Sequence, residues 1–403
     1  MDLIFLCGLF PKNRENEIFI NSKSVVHKGP NELQWTFVRG LKKHFTNFTI
    51  ITTPLLSNYP KRYKKLYFLG SLFEVNPNVD GICLGSIRLP IIGLLSKFLN
   101  ILYFLIKKYT SHNEMQILIY SVHLPYLISA ALFKTLNKNS KICLFVNDLP
   151  QYMSGNNNKI YLYLKSIELY IFKILQKQVD SYVFVTNQTN DLVNINHKPW
   201  ILIEGVFDIN EEDSANFNPL PSDKKIILYT GTLDSRYGLK DLLNTFELIE
   251  DTNYELWICG DGDLRNEIVQ KVKTNYRVKY FGMLNHKEIV AMQQKASVLV
   301  NPRKAIGEYT KYSFPIKTLE YLASNRPCVM YDLPGIPREY LDFFITPTDN
   351  TNIALKEKII EVCEWIPEKR SEFCQAAKDF IKQNKSSEIQ FKKLYTLLSN
   401  FHA

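Results

Sequence analysis

The sequence predicts an α/β protein made of two successive doubly wound domains, each with a parallel sheet covered by helices on both faces. Three observations support this fold class. The chain has 403 residues, more than the roughly 250–300 that one hydrophobic core usually holds. Its 46% hydrophobic and 22% charged residues are typical of a globular protein. Short apolar runs alternate with helix-length segments in two separate stretches of the chain.

The first alternation occupies residues 1–205, which we assign to the first domain. Its apolar runs predict parallel strands buried on both faces. The predicted strands are Leu3–Leu6, Phe48–Thr52, Gln116–Tyr120, Lys141–Phe145, Ser181–Val185 and Trp200–Ile203. The predicted helices are Glu32–His44, Pro90–Lys108 and Ile160–Gln176.

A polar, proline-marked linker at 205–225 leads into the second alternation. It predicts a second domain at 206–385 and a C-terminal helix at 386–403 that packs on the first domain. The predicted strands are Ile226–Tyr229, Glu255–Cys259, Val278–Phe281, Val298–Asn301, Pro327–Tyr331 and Phe343–Ile345. Ligands of such sheets bind beyond the carboxyl ends of the strands, and in a two-domain protein we expect the site between the domains.

The positive charge of the chain belongs to the first domain. Residues 1–205 contain 23 Lys and Arg against 12 Asp and Glu, a net charge of +11, whereas residues 206–403 carry −2. This asymmetry predicts a nucleic acid, a membrane or an acidic ligand as a partner of the first domain. No zinc-finger, helix-turn-helix or RNA-binding aromatic signature is present, so nucleic acid is not predicted. The seven scattered cysteines, without CxxC spacing, favour a reducing cytoplasm and neither disulfides nor a metal site.

The segment Lys311–Ala323 contains the residues that most clearly suit a ligand-binding site. Ser313 suits a helix N-cap and Pro315 a first turn, so we expect a helix to begin here. The N-terminus of a helix binds anions such as a diphosphate. Lys317 and Glu320 share one helix face, where the cation would serve phosphate and the carboxylate would accept ribose hydroxyls. Ordinary exposed helices carry the same pair, and the pattern alone leaves both interpretations open.

This segment resembles the donor-site motif of the GT-B glycosyltransferases, specifically the retaining glycosyltransferase family 4. That motif has two glutamates separated by seven residues around a Phe-Gly turn, followed by E-A-M-A-x-G-x-P-V. The matching residues are Phe314, Leu319, Glu320, Tyr321, Leu322, Ala323, Arg326, Pro327 and Val329. The resemblance makes Glu320 the ribose ligand. Tyr312 stands where the family has its first glutamate, which contacts the transferred sugar, and Glu308 is the candidate substitute.

A second match, Tyr229–Leu239, is similar to the family's strand–turn segment G-R-L-x-x-x-K-G. After Gly231, Thr232 and Tyr237 take the places of the Arg and Lys that neutralise the donor diphosphate in the family. A plain strand-to-helix turn would have similar glycines. The candidate replacements for the missing cations are Arg236, Lys317 and Arg303.

A third match is the strand that runs into Gly260-x-Gly262. A dinucleotide fingerprint would need a third glycine where Arg265 stands, so that interpretation is excluded. The family has its own G-x-G at this place, where the glycines let the nucleotide approach closely. Met283 has the spacing that the family uses beside the nucleobase, and Asn301–Arg303 matches the strand end before the donor motif.

The first domain offers less specific candidates at its strand ends. The candidate acceptor ligands are Gly8, Asn31, Gln34 and His123. Asp148 could bind an acceptor hydroxyl or act as a weak base, although a turn aspartate before Pro150 explains it equally well. His123 is also compatible with a plain turn or core histidine.

Apolar helices with lysines at their edges indicate a membrane surface as the partner of the basic first domain. Ile91–Lys108 and Ile160–Lys177, with the cluster Lys61, Arg62, Lys64 and Lys65, suit the surface of an anionic membrane. Each Lys or Arg there contributes about 1 kcal/mol. Helices buried in the fold would show the same pattern. Pro90, Gly93, Lys97 and Asn100 interrupt the longest apolar run, so no membrane-spanning helix is predicted.

Together these features predict a bacterial GT-B glycosyltransferase of surface polysaccharide or capsule synthesis, peripheral on the cytoplasmic face of the cell membrane. The resemblance implies transfer from a UDP- or GDP-sugar to a hydroxyl of a lipid-linked glycan, with retention of configuration and no metal. Lys317 and Arg236 would stabilise the departing diphosphate, and Asp148 would act on the acceptor. Two alternatives remain, a GT-B sugar-nucleotide epimerase and a non-catalytic subunit of a polysaccharide assembly complex.

Overall fold

Two compact units make up the chain, Met1–Ile203 with Ser387–Ala403, and Glu204–Ser386. The computed structural model describes residues 2–23, 28–46, 48–76, 79–109, 114–152, 159–194, 196–209 and 224–400. The contacts divide the chain after residues 203 and 386, and the sequence analysis places its boundaries after residues 205 and 385. Most of the predicted linker, residues 210–223, lies outside the described residues.

The first unit is built on an eight-stranded sheet. Its strands, with a separate two-stranded ribbon formed by β3 and β6, are β1 (Asp2–Cys7), β2 (Phe48–Thr52), β3 (Tyr67–Phe68), β4 (Ser71–Asn76), β5 (Val79–Cys83), β6 (Ser86–Ile87), β7 (Met115–Tyr120), β8 (Ser140–Val146), β9 (Ser181–Phe184) and β10 (Trp200–Leu202). The order is β10-β9-β8-β7-β1-β2-β5-β4, parallel throughout except for antiparallel β4 at the edge. The central strands β1, β7 and β8 are buried along almost their whole length, as both-face coverage requires.

The sequence analysis missed the four strands β3 to β6. The edge strand β4 exposes Leu72 and Glu74 and buries Phe73, so it has no continuous apolar run. Gly81 of β5 lies under the ring of Phe73, where a Cβ would come within 2.4 Å of the ring. Short ribbons of this kind depend on tertiary packing, because two isolated strands are marginally stable at best.

Helices cover this sheet, and one of them comes from the C-terminus of the chain. They are α1 (Glu15–Asn21), α2 (Lys28–His44), α3 (Pro90–Tyr109), α4 (Leu124–Leu136), α5 (Lys159–Leu175), α6 (Asn187–Val193) and, from the C-terminus, α13 (Ser387–Ser399). Helix α13 packs on α2, where the ring of Phe391 occupies the space that a side chain at Gly40 would need.

Helix α3 corrects the expectation that its sequence is too interrupted to span a membrane. Pro90 lies at its start, and Gly93 fits against the carbonyl of Ile87, so neither residue breaks the helix. Over Pro90–Lys107 its mean hydropathy is 1.5, and by length and composition it could cross a membrane. Asn100 Nδ2 donates to the carbonyl of Gly85, and the helix packs on α4 and β6, so α3 is also part of the α/β unit.

The second unit has a five-stranded parallel sheet in the order β13-β12-β11-β14-β15. The strands are β11 (Lys225–Thr230), β12 (Tyr254–Cys259), β13 (Val278–Tyr280), β14 (Val298–Asn301) and β15 (Cys328–Met330). The helices are α7 (Leu239–Glu247), α8 (Arg265–Thr274), α9 (His286–Lys295), α10 (Lys317–Ala323), α11 (Asn352–Cys363) and α12 (Pro367–Asn384). The predicted strand Phe343–Ile345 is wrong: Phe343 ends the 3-10 helix Arg338–Phe343, and only Ile345 forms a single bridge, with Val329.

Candidate functional site

Three turns at the carboxyl edge of the second sheet are hydrogen-bonded to one another. Gly231 N donates to the carbonyl of Cys259, and Gly260 N donates to the carbonyl of Gly282. A Cβ at Gly260, whose φ is +140°, would lie 1.8 Å from the carbonyl oxygen of Gly231. A Cβ at Gly262 would meet a neighbouring backbone carbonyl at 2.5 Å. These glycines are therefore needed for the close packing of two turns, whether or not a nucleotide lies above them.

Two other predicted donor residues lie on the same turns. Thr232 is exposed, and its carbonyl accepts a hydrogen bond of 2.8 Å from the hydroxyl of Tyr229. Met283 follows Gly282 and is 66% exposed. An exposed methionine at a strand end is an apolar surface that a planar ring could cover.

Arg303 is the buried cation of this edge. Only 7% of it is exposed, and its Cζ lies 5.4 Å and 5.0 Å from the ring centroids of Tyr237 and Tyr309. Nη2 donates to Ser313 Oγ at 2.6 Å. Nε is buried and, within the part of the chain that the structure describes, has no hydrogen-bond partner and no carboxylate ion pair. Its charge is held in place by aromatic rings and one hydroxyl.

Arg236, in contrast, is neutralised by its neighbour in sequence. Its Nε donates to Asp234 Oδ1 at 2.9 Å, and its Nη2 approaches Oδ2 at 2.5 Å. The hydrogen bond from this guanidinium lowers the pKa of Asp234 below its ordinary value. Arg236 is exposed, so a ligand would have to compete with both Asp234 and water.

The helix of the donor segment begins later than the sequence predicts. Helix α10 starts at Lys317, and its N-cap position is Ile316, without a side-chain cap. The predicted N-cap Ser313 accepts from Arg303 instead, and the chain turns only at Pro315, whose carbonyl accepts from Thr318 N. The predicted N-cap is therefore wrong, because a buried guanidinium competes successfully for the hydroxyl.

Lys317 and Glu320 form the predicted pair on one helix face. Lys317 Nζ lies 2.6 Å from Glu320 Oε2, while Gln293 Nε2 donates to Oε1 at 2.7 Å. Both carboxylate oxygens of this half-buried side chain are therefore occupied. The helix is held by Tyr321, whose hydroxyl accepts from Thr230 N and donates to the Thr230 carbonyl at the end of β11. Glu320 thus lies on a helix fixed to the carboxyl edge of the sheet.

The remaining donor candidates differ in exposure. Tyr312 is half-buried at the end of the 3-10 helix Glu308–Lys311. Glu308 is exposed and pairs with Lys311 Nζ at 2.9 Å. Phe314 is buried, with its ring 5.3 Å from that of Tyr340. Phe314 therefore anchors the segment, and Glu308 is the member that solvent and ligands can reach.

In the first unit, three predicted acceptor ligands hold the loop after β1. Gln34 Oε1 accepts from Gly8 N at 2.8 Å, and Asn31 Oδ1 accepts from Phe10 N at 2.7 Å. Both amide side chains are buried. The structure gives them a local supporting role, since the oxygen that would meet an acceptor already caps the backbone.

His123 and Asp148 follow neighbouring strands of the same sheet. His123 directly precedes α4; its Nε2 is buried without a hydrogen-bond partner among the described residues. Burial, together with the charges of nearby cations, lowers the pKa of His123 well below its ordinary value. The carboxylate of Asp148 accepts from Asn147 Nδ2 at 2.9 Å. Asp148 reaches solvent, yet the surrounding protein raises the pKa of this carboxyl to about 6.

A groove of about 870 Å³ lies elsewhere in the first unit, between α2 and the edge strands β4 and β5. Lys12, Trp35, Arg39 and Lys42 line it, and none of the predicted site residues does. Among the described residues, no three His, Cys, Asp or Glu side chains cluster as metal ligands would.

Comparison with known proteins assigns the second unit. Residues 224–364 match the family model described as Glycosyl transferases group 1. The chain carries a glycosyl transferases group 1 domain. Every donor candidate of this glycosyltransferase domain, from Gly231 to Glu320, lies within the matched residues. In addition, the "Uncharacterized 41.2 kDa protein in cps region" of Klebsiella pneumoniae is 22% identical over 282 residues, which cover 66% of this chain and 73% of that protein.

Solved structures match almost the whole length of the chain. Sucrose-phosphate synthase from Thermosynechococcus elongatus has a TM-score of 0.69 at 16% identity and covers 99% of this chain and 100% of its own. Anabaena HepE in complex with UDP has a TM-score of 0.65 at 12% identity, with the same coverages. A Rickettsia africae glycosyltransferase has a TM-score of 0.67 at 16% identity and covers 99% and 98%. The predicted GT-B fold is confirmed, and the second unit carries a domain of the glycosyl transferases group 1 type.

Sequence reasoning missed two residues of the donor edge. Gln293 fixes Glu320 from α9, and the ring of Tyr309 shields Arg303. Gln293 is buried, but it stands next to another glutamine near the end of α9, so the local sequence pattern does not indicate its burial. Tyr309 lies just before the donor motif, and only the folded chain brings its ring to Arg303.

Proposed function

We propose that this group 1 glycosyltransferase moves a sugar from a nucleoside diphosphate sugar, with UDP or GDP as carrier, to a hydroxyl of a membrane-linked glycan. The proposal includes retention of anomeric configuration, independence of a metal, and a role in bacterial surface polysaccharide or capsule synthesis at the cytoplasmic membrane face. HepE was solved with UDP and with UDP and glucose, and the Klebsiella relative comes from a cps region. Both favour this assignment.

The observation that carries the proposal is the unpaired charge of Arg303 at the carboxyl end of β14. A buried cation without a carboxylate is costly, and a diphosphate would compensate it. During transfer, negative charge builds up on the departing diphosphate, and a cation already in place lowers that barrier. Lys317 and Arg236 stand nearby, each sharing its charge with a carboxylate, and would act as secondary partners.

Glu320 and the glycine turns supply the rest of the donor site. Its carboxylate is oriented by Lys317 and Gln293, and rotation of either donor would free an oxygen for a ribose hydroxyl. Met283 would lie beside the base, and Glu308 or Tyr312 beside the sugar. In the first unit, Asp148 is the group best suited to receive a proton from the acceptor hydroxyl.

The membrane part of the proposal is supported by an exposed apolar surface on neighbouring helices. Helices α3 and α5 both pack on α4 and expose large apolar side chains to solvent. The exposed residues are Ile91, Leu94, Leu95, Leu99 and Tyr103 on α3, and Tyr163, Ile167, Tyr170 and Ile174 on α5. Ordinary soluble proteins expose single scattered hydrophobic residues, whereas these helices expose many. Lys107, Lys173 and Lys177 lie at its edge, as expected for an anionic bilayer.

Binding measurements with an Arg303 variant test the donor site. Arg303→Met should weaken binding of the cognate nucleoside diphosphate about 10- to 100-fold, because it removes a charge-assisted contact. Binding of the nucleoside alone should stay unchanged. Glu320→Gln should weaken both, since it acts on the ribose.

Arg338→Met is the matched control, because Arg338 is exposed, pairs with Asp332 and is not one of the donor candidates. Calorimetry would follow a thermal-shift panel that identifies the base. Unchanged diphosphate binding in Arg303→Met would remove the donor assignment. Turnover in EDTA and the anomeric coupling constant of the product test the metal and the stereochemistry.

A flotation assay with anionic vesicles tests the membrane surface. The double variant Leu99→Ser/Tyr103→Ser should bind vesicles at least tenfold less than the wild type, because it removes two exposed apolar side chains of α3. Ile353→Ser, at an exposed position of the second unit, is the control. Extraction with alkaline carbonate would release a surface-bound protein and retain one whose α3 crosses the bilayer. Equal binding by the double variant would contradict the proposal.

A further inference from the structure

The first unit buries two cations and an imidazole nitrogen that have no acidic partner among the described residues. Arg88, directly after β6, is 2% exposed, and Lys97, on the inner side of α3, is 6% exposed. His123, ahead of α4, packs against the ring of Tyr126, and the charges of Lys97 and Arg88 both lower its pKa. Within the described residues, none of the three forms an ion pair with a carboxylate. This cluster corrects the expectation that Lys97 is one of the lysines at the membrane-facing edge of α3.

Each member of the cluster has donor capacity that the protein leaves unused. Arg88 directs Nε and Nη2 to the carbonyl of Ser57, at 3.2 and 2.9 Å, and Nη1 to Ser86 Oγ at 3.4 Å. Lys97 Nζ makes no hydrogen bond to any described residue. His123 Nε2 is buried and lacks a partner in the same part of the chain. Burying such groups unpaired is unfavourable, and a bound anion would compensate the cost.

A buried lysine elsewhere in the same unit provides the comparison. Lys134 Nζ lies 2.7 Å from Asp180 Oδ2 and also donates to the carbonyl of Gln178. This fold therefore pairs a shielded lysine where it serves structure alone. Lys97 forms no such pair with any residue that the structure describes, and an anionic ligand could take that place.

The position of the cluster is that of a ligand site. His123 comes directly after the turn that ends β7, and parallel sheets of this type bind ligands beyond the carboxyl ends of their strands. The other charged group that acts on His123 is Lys165 of α5, which is paired with Glu168. Tyr126 of α4 packs edge-on against the imidazole. The local charge is therefore positive, with donors from three separate elements.

We propose that Arg88, Lys97 and His123 bind the phosphate group of a phosphorylated acceptor. Two buried cations and an imidazole with unused hydrogen-bonding capacity suit a doubly charged oxyanion. Binding of the oxyanion is a property of the first unit alone, whereas its assignment to the acceptor rests on the proposed function. The phosphate could belong to a lipid carrier or to a soluble sugar phosphate.

The site has a measurable protonation signature. Burial, with the charge of Arg88 as a smaller cause, lowers the pKa of Lys97 to about 7. A bound dianion would favour the charged amine, so binding at pH 7.5 should take up a fraction of a proton from the buffer. His123, whose pKa is also lowered, would contribute in the same direction.

Calorimetry with sulfate tests the site, because sulfate itself does not titrate near neutral pH. Titrations in buffers of different ionisation enthalpy should show sulfate binding with proton uptake by the wild type. Lys97→Met should bind sulfate at least tenfold more weakly and lose most of the uptake. Lys138→Met, at an exposed lysine that follows α4, should behave as the wild type. Wild-type sulfate affinity in Lys97→Met, or no sulfate binding by the wild type, would overturn the proposal.

Two further arms identify the source of the phosphate. Glycerol 3-phosphate represents a soluble ester, and vesicles with phosphatidic acid, compared with phosphatidylglycerol vesicles, represent a lipid phosphate. If the wild type binds one of these ligands better than the other and Lys97→Met loses that binding, the preferred ligand identifies the source of the phosphate. If Lys97→Met binds both ligands as well as the wild type does, the assignment of the site to a phosphorylated acceptor is contradicted. UDP or GDP binding should be unchanged in Lys97→Met, so a failure of the donor site would be seen separately.

Discussion

At the scale of the residue, what distinguishes the candidate cations is whether a carboxylate already neutralises them. Asp234 holds Arg236, and Glu320 holds Lys317, so a diphosphate would gain only part of each charge. Arg303 forms no ion pair with a carboxylate among the described residues, and a serine hydroxyl and two aromatic rings contact its guanidinium. Aromatic rings stabilise a guanidinium without neutralising it. The same criterion singles out Lys97 in the first unit.

Asp148 leads to a prediction about pH. Burial raises the pKa of this carboxyl to about 6, so the carboxylate is fully formed only above that pH. If it receives the proton of the acceptor hydroxyl, kcat/KM should rise with pH through an inflection near 6 and then level off. Asp148→Asn should lower kcat/KM about 10²- to 10⁴-fold and abolish the inflection. A pH–rate profile of both proteins measures this, and an inflection that persists in the variant would assign it to another group.

At the scale of the element, the donor edge depends on turns that hold one another. The turns after β11 and β12 approach so closely that Gly260 leaves no room for a side chain. Helix α10 is only seven residues long and is fixed by Tyr321 to the end of β11. The strand ends, and not the helix N-terminus, therefore position the donor residues.

The side chains of helix α3 have three different environments. Asn100 binds the backbone of the β-ribbon, Lys97 enters the cation cluster, and residues such as Leu99 face solvent. A helix with polar contacts on one side and a broad apolar surface on the other suits the plane of a membrane interface better than its interior.

At the scale of the whole molecule, the boundary of the second unit is secured by a buried charge cluster. Lys385, near the end of α12, contacts Glu204 and Glu339, and the hydroxyl of Tyr340 donates to Glu204 at 2.9 Å. The side chain of Glu204 is fully buried, and that of Lys385 is 3% exposed. The first and last residues of the unit are thus joined within it.

Removal of Lys385 should therefore destabilise the protein strongly. Lys385→Met leaves the carboxylate of Glu204 buried without its cation, at a cost of about 3–5 kcal/mol in the free energy of unfolding. Glu204→Met/Lys385→Met should recover most of that loss. Lys358→Met, which breaks an exposed pair with Glu361, should cost less than about 1 kcal/mol. Urea unfolding measures the stability of all three variants. If Lys385→Met is no less stable than Lys358→Met, the stabilising role of the buried pair is contradicted.

The sequence predicted the parallel cores well and the polar details less well. Strands such as Phe48–Thr52 and Val298–Asn301 have the predicted ends, because buried parallel strands are continuous apolar runs. The ribbon of β3 and β6 and the sheet strands β4 and β5 were missed, since they form no continuous apolar run and depend on neighbouring elements for their stability. The N-cap at Ser313 failed for a related reason: its competitor, Arg303, is ten residues away along the chain.

By itself, the sequence determined the two α/β alternations, the family resemblance and the segregation of positive charge, because periodicity, motif spacing and composition are local properties of the chain. Only the tertiary structure decided which polar groups have partners. Among the described residues it left Arg303 without a carboxylate ion pair and buried Lys97 without one. It also directed the side chains of Asn31 and Gln34 to the backbone. Pairing is a matter of distance between residues far apart in sequence, and electrostatic energy follows that distance and the surrounding burial.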